Sequence, residues 1–89
     1  MTTIHITIKG KVQGVFYRDS AKNQADKLGL TGWIKNTDDG NVEVMISGDN
    51  IELDQFVQWC KLGSDKSKVE GVSFDTVDDK KFSGFTISH

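Results

Sequence analysis

The hydrophobic pattern of this 89-residue chain swings twice between the period of a strand and the period of a helix, and that limits the folds open to it. Ile4, Ile6 and Ile8 alternate with Thr3, His5, Thr7 and Lys9, as in a half-buried strand. After a break at Gly10 to Gly14, residues Tyr17, Ala21, Ala25 and Leu28 recur at helical spacing. Asp19, Lys22, Asn23, Asp26 and Lys27 fall on the opposite side. Gly29 follows as a left-handed stop. Trp33 to Asn36 and Val42 to Ile46 return to strand character, and the Asp39-Gly40 pair between them signals a hairpin. A second helix carries Leu53, Phe56, Val57 and Cys60 on one stripe. Asp49 and Glu52 have the spacing of a capping box at its start, and Gly63 and Ser64 end it. Strands over Val69–Val77 and Phe82–Ser88 close the chain, the last with Phe85 and Ile87 on one face.

The order strand, helix, strand, strand, helix, strand, plus a closing strand, predicts an α+β sandwich of the ferredoxin-like βαββαβ type. Its two helices lie on one face of a sheet of four strands and a possible fifth. That fold hosts many functions and selects none. The length suits one domain over 1–89. A chain of this size buries roughly 60–70% of its unfolded surface and can hold a core without staples. The formal charge of −2 lacks the basic excess of a general nucleic-acid binder. Met1 to Gly10 has no continuous apolar run, so it reads as neither a signal peptide nor a membrane span, and a cytoplasmic protein is expected. Cys60 is the single cysteine, and with His5 and His89 it cannot assemble a metal set.

The segment with chemical content is Gly10-Lys11-Val12-Gln13-Gly14-Val15-Phe16-Tyr17-Arg18, running from a strand into the first turn of a helix. A helix start offers backbone N–H groups without internal partners and the positive end of the dipole, and a glycine-containing loop lets such groups converge on an anion. Arg18 is the only arginine; the other ten basic residues are lysines. A cation in the first turn is unfavourable by roughly 0.3–1 kcal/mol when exposed, a cost that a bound dianion offsets. Guanidinium also donates in pairs to phosphate oxygens, which an ammonium does not. Taken alone, the residue also fits a solvated helix surface. The segment is not a Walker loop, because no Gly-Lys-Ser/Thr ends it, and it has no cysteine for a thiol-based phosphatase.

These residues carry a family resemblance. Gly10 to Arg18 resembles the first acylphosphatase signature, Gly-x-Val-Gln-Gly-Val-x-Phe/Tyr-Arg, at every fixed position. Gly32-Trp33-Ile34-Lys35-Asn36, followed by Gly40, Asn41, Val42 and Gly48, resembles the second, departing only at Ile34. The resemblance implies an antiparallel sheet and hydrolysis of the carboxyl–phosphate bond of acyl phosphates to carboxylate and inorganic phosphate, without metal or cofactor. It implies Arg18 as the phosphate-binding arginine and Asn36 as the water-orienting asparagine. The backbone amides of Gln13, Gly14, Val15, Phe16 and Tyr17 take the part of the phosphate cradle. A monomer acting on a small acyl phosphate, with neither nucleic acid nor membrane as partner, is expected.

The chemistry is compatible with such a lean site. A carboxylate leaves without being protonated, so the lack of His, Asp or Glu between Gly10 and Arg18 suits a mixed anhydride better than an ester. Phosphoryl transfer depends mainly on positioning and charge neutralisation. Asn36 before a hairpin also fits a plain turn residue. Tyr17 reads as a core aromatic, Trp33 as sheet packing, Cys60 as a buried small hydrophobe, Asp38 and Asp39 as turn residues, and Phe16 as a residue near the site mouth. Three other readings stay open: a phosphate-binding module without turnover, a single-stranded RNA binder, and a protein acting on carbamoyl phosphate.

Overall fold

The structure, a computed structural model, describes residues 1–88; His89, one of the two histidines considered above, lies outside them. Seven elements follow one another: β1 (Thr2–Lys11), α1 (Tyr17–Lys27), β2 (Thr31–Asn36), β3 (Val42–Gly48), α2 (Asn50–Leu62), β4 (Lys68–Val77) and β5 (Phe85–Ser88). The strands form one sheet in the order β4-β1-β3-β2-β5. Ile4, Ile6 and Ile8 of β1 stand opposite Ile46, Val44 and Val42 of β3, and all six are buried on the helix side. Ile34 and Phe85 continue this face, and α1 and α2 cover it with Tyr17, Ala21, Ala25, Leu53, Phe56, Val57 and Cys60. Both alanines are fully enclosed, and their short side chains leave room for the helix to lie close to the sheet.

The expected antiparallel sheet is corrected at one edge: β2 and β5 run parallel, with Ile34 opposite Ile87 and Lys35 opposite Ser88, so the sheet is mixed. The cause is topological. β4 and β5 stand at opposite edges, and the seven residues between Val77 and Phe85 turn the chain around. Reversal relative to β4 makes β5 parallel to β2. The link crosses about 19 Å of sheet width, within the reach of about 26 Å for eight extended steps. It runs over the face away from the helices, where the Lys80 N–H donates to Thr3 Oγ1 and Ser47 Oγ donates to the Lys80 carbonyl. Thr3 and Ser47 hydrogen-bond each other at 2.6 Å and are buried despite their outward register. The last strand is shorter than expected, because Phe82 to Gly84 belong to this link.

Two helix ends behave differently from each other. Gly29, at φ 70°, closes α1 in a left-handed turn, with Leu30 N–H donating to the Ala25 carbonyl and Gly29 N–H to that of Asp26. At α2, Asp49 occupies the N-cap position but its side chain makes no capping hydrogen bond. The predicted capping box is not formed.

Candidate active site

The Gly10–Arg18 segment begins within β1, at a bulge between Lys9 and Gly10, and leaves the strand after Lys11. Gly10 has φ 129°, and a Cβ there would stand 2.2 Å from the Lys68 carbonyl oxygen, so the strand can bend against β4 only without a side chain. Gly14 (φ 72°) and Phe16 (φ 61°) also take positive φ. A backbone that passes repeatedly through this region can turn successive N–H groups to one side. Phe16 is the N-cap of α1, and its carbonyl receives the first helical hydrogen bond, from Ser20 N at 3.0 Å.

Two side-chain contacts fasten this segment to the rest of the fold. Gln13 Nε2 donates to the carbonyls of Thr37 and Asn41, each at 2.8 Å. Ser64 Oγ, beyond α2, donates to the Val15 carbonyl at 2.8 Å. Val12 and Val15 are buried and anchor the loop in the core. Tyr17 is buried as expected, its hydroxyl donating to the Cys60 carbonyl at 2.8 Å and its ring packed 5.1 Å from that of Trp59. Burial pushes the Cys60 thiol up to about 12 and raises the Tyr17 phenol further still, so both stay protonated.

Arg18 is the second residue of α1, and its Nη1 donates to the Ser88 carbonyl at the end of β5, 3.2 Å away. Ser88 pairs with Lys35, the neighbour of Asn36. Lys22, on the polar side of α1, reaches the Phe85 carbonyl at 2.9 Å while pairing with Asp26 at 3.0 Å, and so fixes the other end of β5 to the helix. A cavity of about 310 Å³ opens here, walled by Val12, Gly14, Phe16, Tyr17, Arg18, Asp19 and Ile87. Four of the seven candidate residues line it; Gln13, Val15 and Asn36 stand outside its wall. Phe16 is 68% exposed at the mouth.

Asn36 ends β2, directly before the hairpin. Its Oδ1 is buried and, among the described residues, has no hydrogen-bond partner. Such an acceptor costs about 1–3 kcal/mol when left unused. The hairpin beyond it is closed without help from the Asn36 side chain. Thr37 N–H donates to the Asn41 carbonyl at 2.9 Å, and Asn41 N–H to Thr37 Oγ1 at 3.1 Å. Thr37 also donates its hydroxyl to Asp39, which holds that exposed carboxyl below its ordinary value. The turn work assigned to an asparagine here is therefore done by Thr37 and Asp39. The described residues contain no cluster of three or more His, Cys, Asp or Glu able to hold a metal ion.

The Acylphosphatase family model matches residues 4–87. This chain belongs to the acylphosphatase family. An acylphosphatase of Haloquadratum walsbyi is 38% identical over 86 residues, a match covering 97% of this chain and 92% of the relative. One of Rubrobacter xylanophilus is 40% identical over 72 residues, covering 81% of this chain and 66% of the relative. The crystal structure of acylphosphatase from Bacillus subtilis superposes with a TM-score of 0.96 at 38% identity, covering all of both chains. The ferredoxin-like expectation, two helices against a five-stranded sheet, is thus met in this family, with the mixed edge noted above.

One residue has a contact that sequence reasoning missed. Gln13 entered the expectation through its backbone amide; its carboxamide, reaching a hairpin 24 and 28 residues away, did not. The recurrence of Gln13 and Asn41 in the two signatures was the available signal, but only the fold shows that they meet.

Proposed function

We propose that this protein hydrolyses acyl phosphates as one unit spanning 1–89. The loop amides of Gln13 to Tyr17 and the Arg18 guanidinium hold the phosphoryl group, and Asn36 orients the attacking water. The observation that carries this reading is the reach of the Arg18 guanidinium from the loop end to the Ser88 carbonyl, which lies opposite Lys35 and so beside Asn36 at the end of β2.

In the reaction, the water oxygen forms a bond to phosphorus as the bond from phosphorus to the acyl oxygen breaks. The carboxylate leaves with the electron pair, and the water proton ends on a phosphate oxygen. Dianionic acyl phosphate and water thus become carboxylate and dihydrogen phosphate. Arg18 and the N–H groups offset the charge gathered on the equatorial oxygens. Every step uses groups of this chain alone, so no metal or cofactor is called for. A small-molecule substrate, a monomeric state and a cytoplasmic setting belong to the same proposal.

The test is hydrolysis of benzoyl phosphate with a chelator present and inorganic phosphate as competitor. Turnover with competitive inhibition is expected. Asn36→Ala should lose kcat by about 100-fold or more while keeping the phosphate inhibition constant, and Arg18→Gln should lose both. Absence of turnover in the wild type overturns the reading, and turnover that vanishes in chelator overturns its metal-free form.

A further inference from the structure

We infer that the Gln13 carboxamide is a positioning residue that sets the distance between the loop and Asn36; this rests on the hydrolase reading above. The geometry uses both N–H donors of a primary amide. Nε2 donates to the carbonyls of Thr37 and Asn41, both at 2.8 Å. Those carbonyls are the two that close the hairpin: Asn41 O also accepts from Thr37 N–H, and Thr37 O from Gly40 N–H. Each oxygen has two lone pairs, so the added bonds leave the hairpin intact. A carboxamide places two N–H donors on one atom and brings no charge beside the phosphate loop.

The consequence follows from the chain path. Asn36 is covalently joined to Thr37, so a staple on the Thr37 carbonyl fixes the end of β2. The same staple fixes the loop through Gln13, between Val12 and Gly14. Val15 is held independently through Ser64, and Arg18 through β5, so losing the staple leaves those anchors in place. The two halves of the site, the loop ending at Arg18 and the strand end at Asn36, come from separate chain segments. Apart from the β1·β3·β2 sheet, the carboxamide is a direct polar link between them. A shift of about 1 Å between phosphoryl group and water is enough to cost about 100-fold in rate.

Gln13→Leu and Gln13→Glu test this. Leucine keeps much of the bulk and removes both donors. Glutamate keeps the shape but sets a carboxylate against two carbonyl oxygens; protonated, it regains one donor. Both variants should lose kcat on benzoyl phosphate by about 10- to 100-fold; for Gln13→Leu, which adds no charge beside the phosphate loop, the inhibition constant of inorganic phosphate should change less than about threefold. For Gln13→Glu, the ratio of its kcat to the wild-type value should rise as pH falls from about 8 to 5, since the opposing carbonyls push its carboxyl above the usual value of about 4.3. Asp39 and Lys9 are charged neighbours of the hairpin in both proteins, so the ratio to the wild type isolates the introduced group. In the wild type, the two Gln13 Nε2 protons should exchange slowly by NMR, a readout independent of any variant. Wild-type-like kcat in both variants, equal losses in kcat and phosphate affinity for Gln13→Leu, a flat pH ratio for Gln13→Glu, or prompt exchange of the Nε2 protons each overturns the inference. A wild type inert toward benzoyl phosphate overturns the hydrolase reading instead.

Discussion

Phe16 holds φ at 61° although it has a side chain, and it does so with 68% of its surface exposed. The left-handed region costs an L residue roughly 1–2 kcal/mol, and so exposed a ring recovers little of that by burial. Asparagine tolerates the region better. Phe16→Asn should therefore stabilise the fold by about 1 kcal/mol, or about 4–8 °C in Tm for a domain of this size, by calorimetry. A lower Tm would mean that the ring's packing against the cavity wall outweighs the backbone strain. Strain that persists at a site mouth is a mark of use rather than of stability. At this scale much was legible in advance. Tyr17 and Cys60 fall on apolar stripes and are core residues, because helical period alone decides which side faces the sheet. The Gln13 carboxamide was not legible, since its partners are backbone carbonyls that carry no residue signature.

Local sequence determined most elements, and it failed where tertiary partners took over. Gly29 stops α1 as its pattern predicts, through hydrogen bonds to Ala25 and Asp26 that lie within reach of the turn itself. The Asp49–Glu52 spacing predicts a capping box that does not form, because propensity at a helix start is a preference of only about 1 kcal/mol. The direction of β5 was hidden for a different reason: strand period says nothing about which edge a strand joins. The sequence pattern puts Gly10 at the start of a break after the strand, whereas its place in β1 against Lys68 imposes a steric demand. This separates two glycines of one loop. A Cβ at Gly10 would meet the Lys68 carbonyl oxygen at 2.2 Å, while one at Gly14 would meet nothing within 4 Å. Gly14→Ala should cost about 1–2 kcal/mol from backbone conformation alone. Gly10→Ala adds displacement of β4 and should cost clearly more in urea unfolding. Equal costs would show that the bulge opens without resistance.

A buried hydrogen bond between the two helices ties the stability of the molecule as a whole to alkaline pH. Tyr17 of α1 donates to the Cys60 carbonyl of α2 at 2.8 Å, both side chains are enclosed, and the chain has no other tyrosine or cysteine. Burial raises both groups: Cys60 from 9.0 to about 12, and Tyr17 beyond that from 10.0. When the chain unfolds above pH 9, these groups release protons that the folded protein retains, so the unfolded state binds fewer protons and stability falls as pH rises. The stabilisation is complete below the unfolded values and is lost progressively between about pH 9 and 12, by about 1.4 kcal/mol per pH unit for each group ionised only in the unfolded chain. The urea midpoint should be flat from about pH 7 to 8.5 in this respect and then fall, and phenolate absorbance should rise together with loss of structure rather than before it. Tyr17→Phe removes one titration and about 1 kcal/mol of hydrogen bonding. With Cys60→Ala it should give a protein weaker at neutral pH whose stability no longer falls steeply above pH 9. Phenolate formation in the intact fold at pH 10 would mean that water reaches Tyr17, and that the two helices meet less tightly than their buried contact implies.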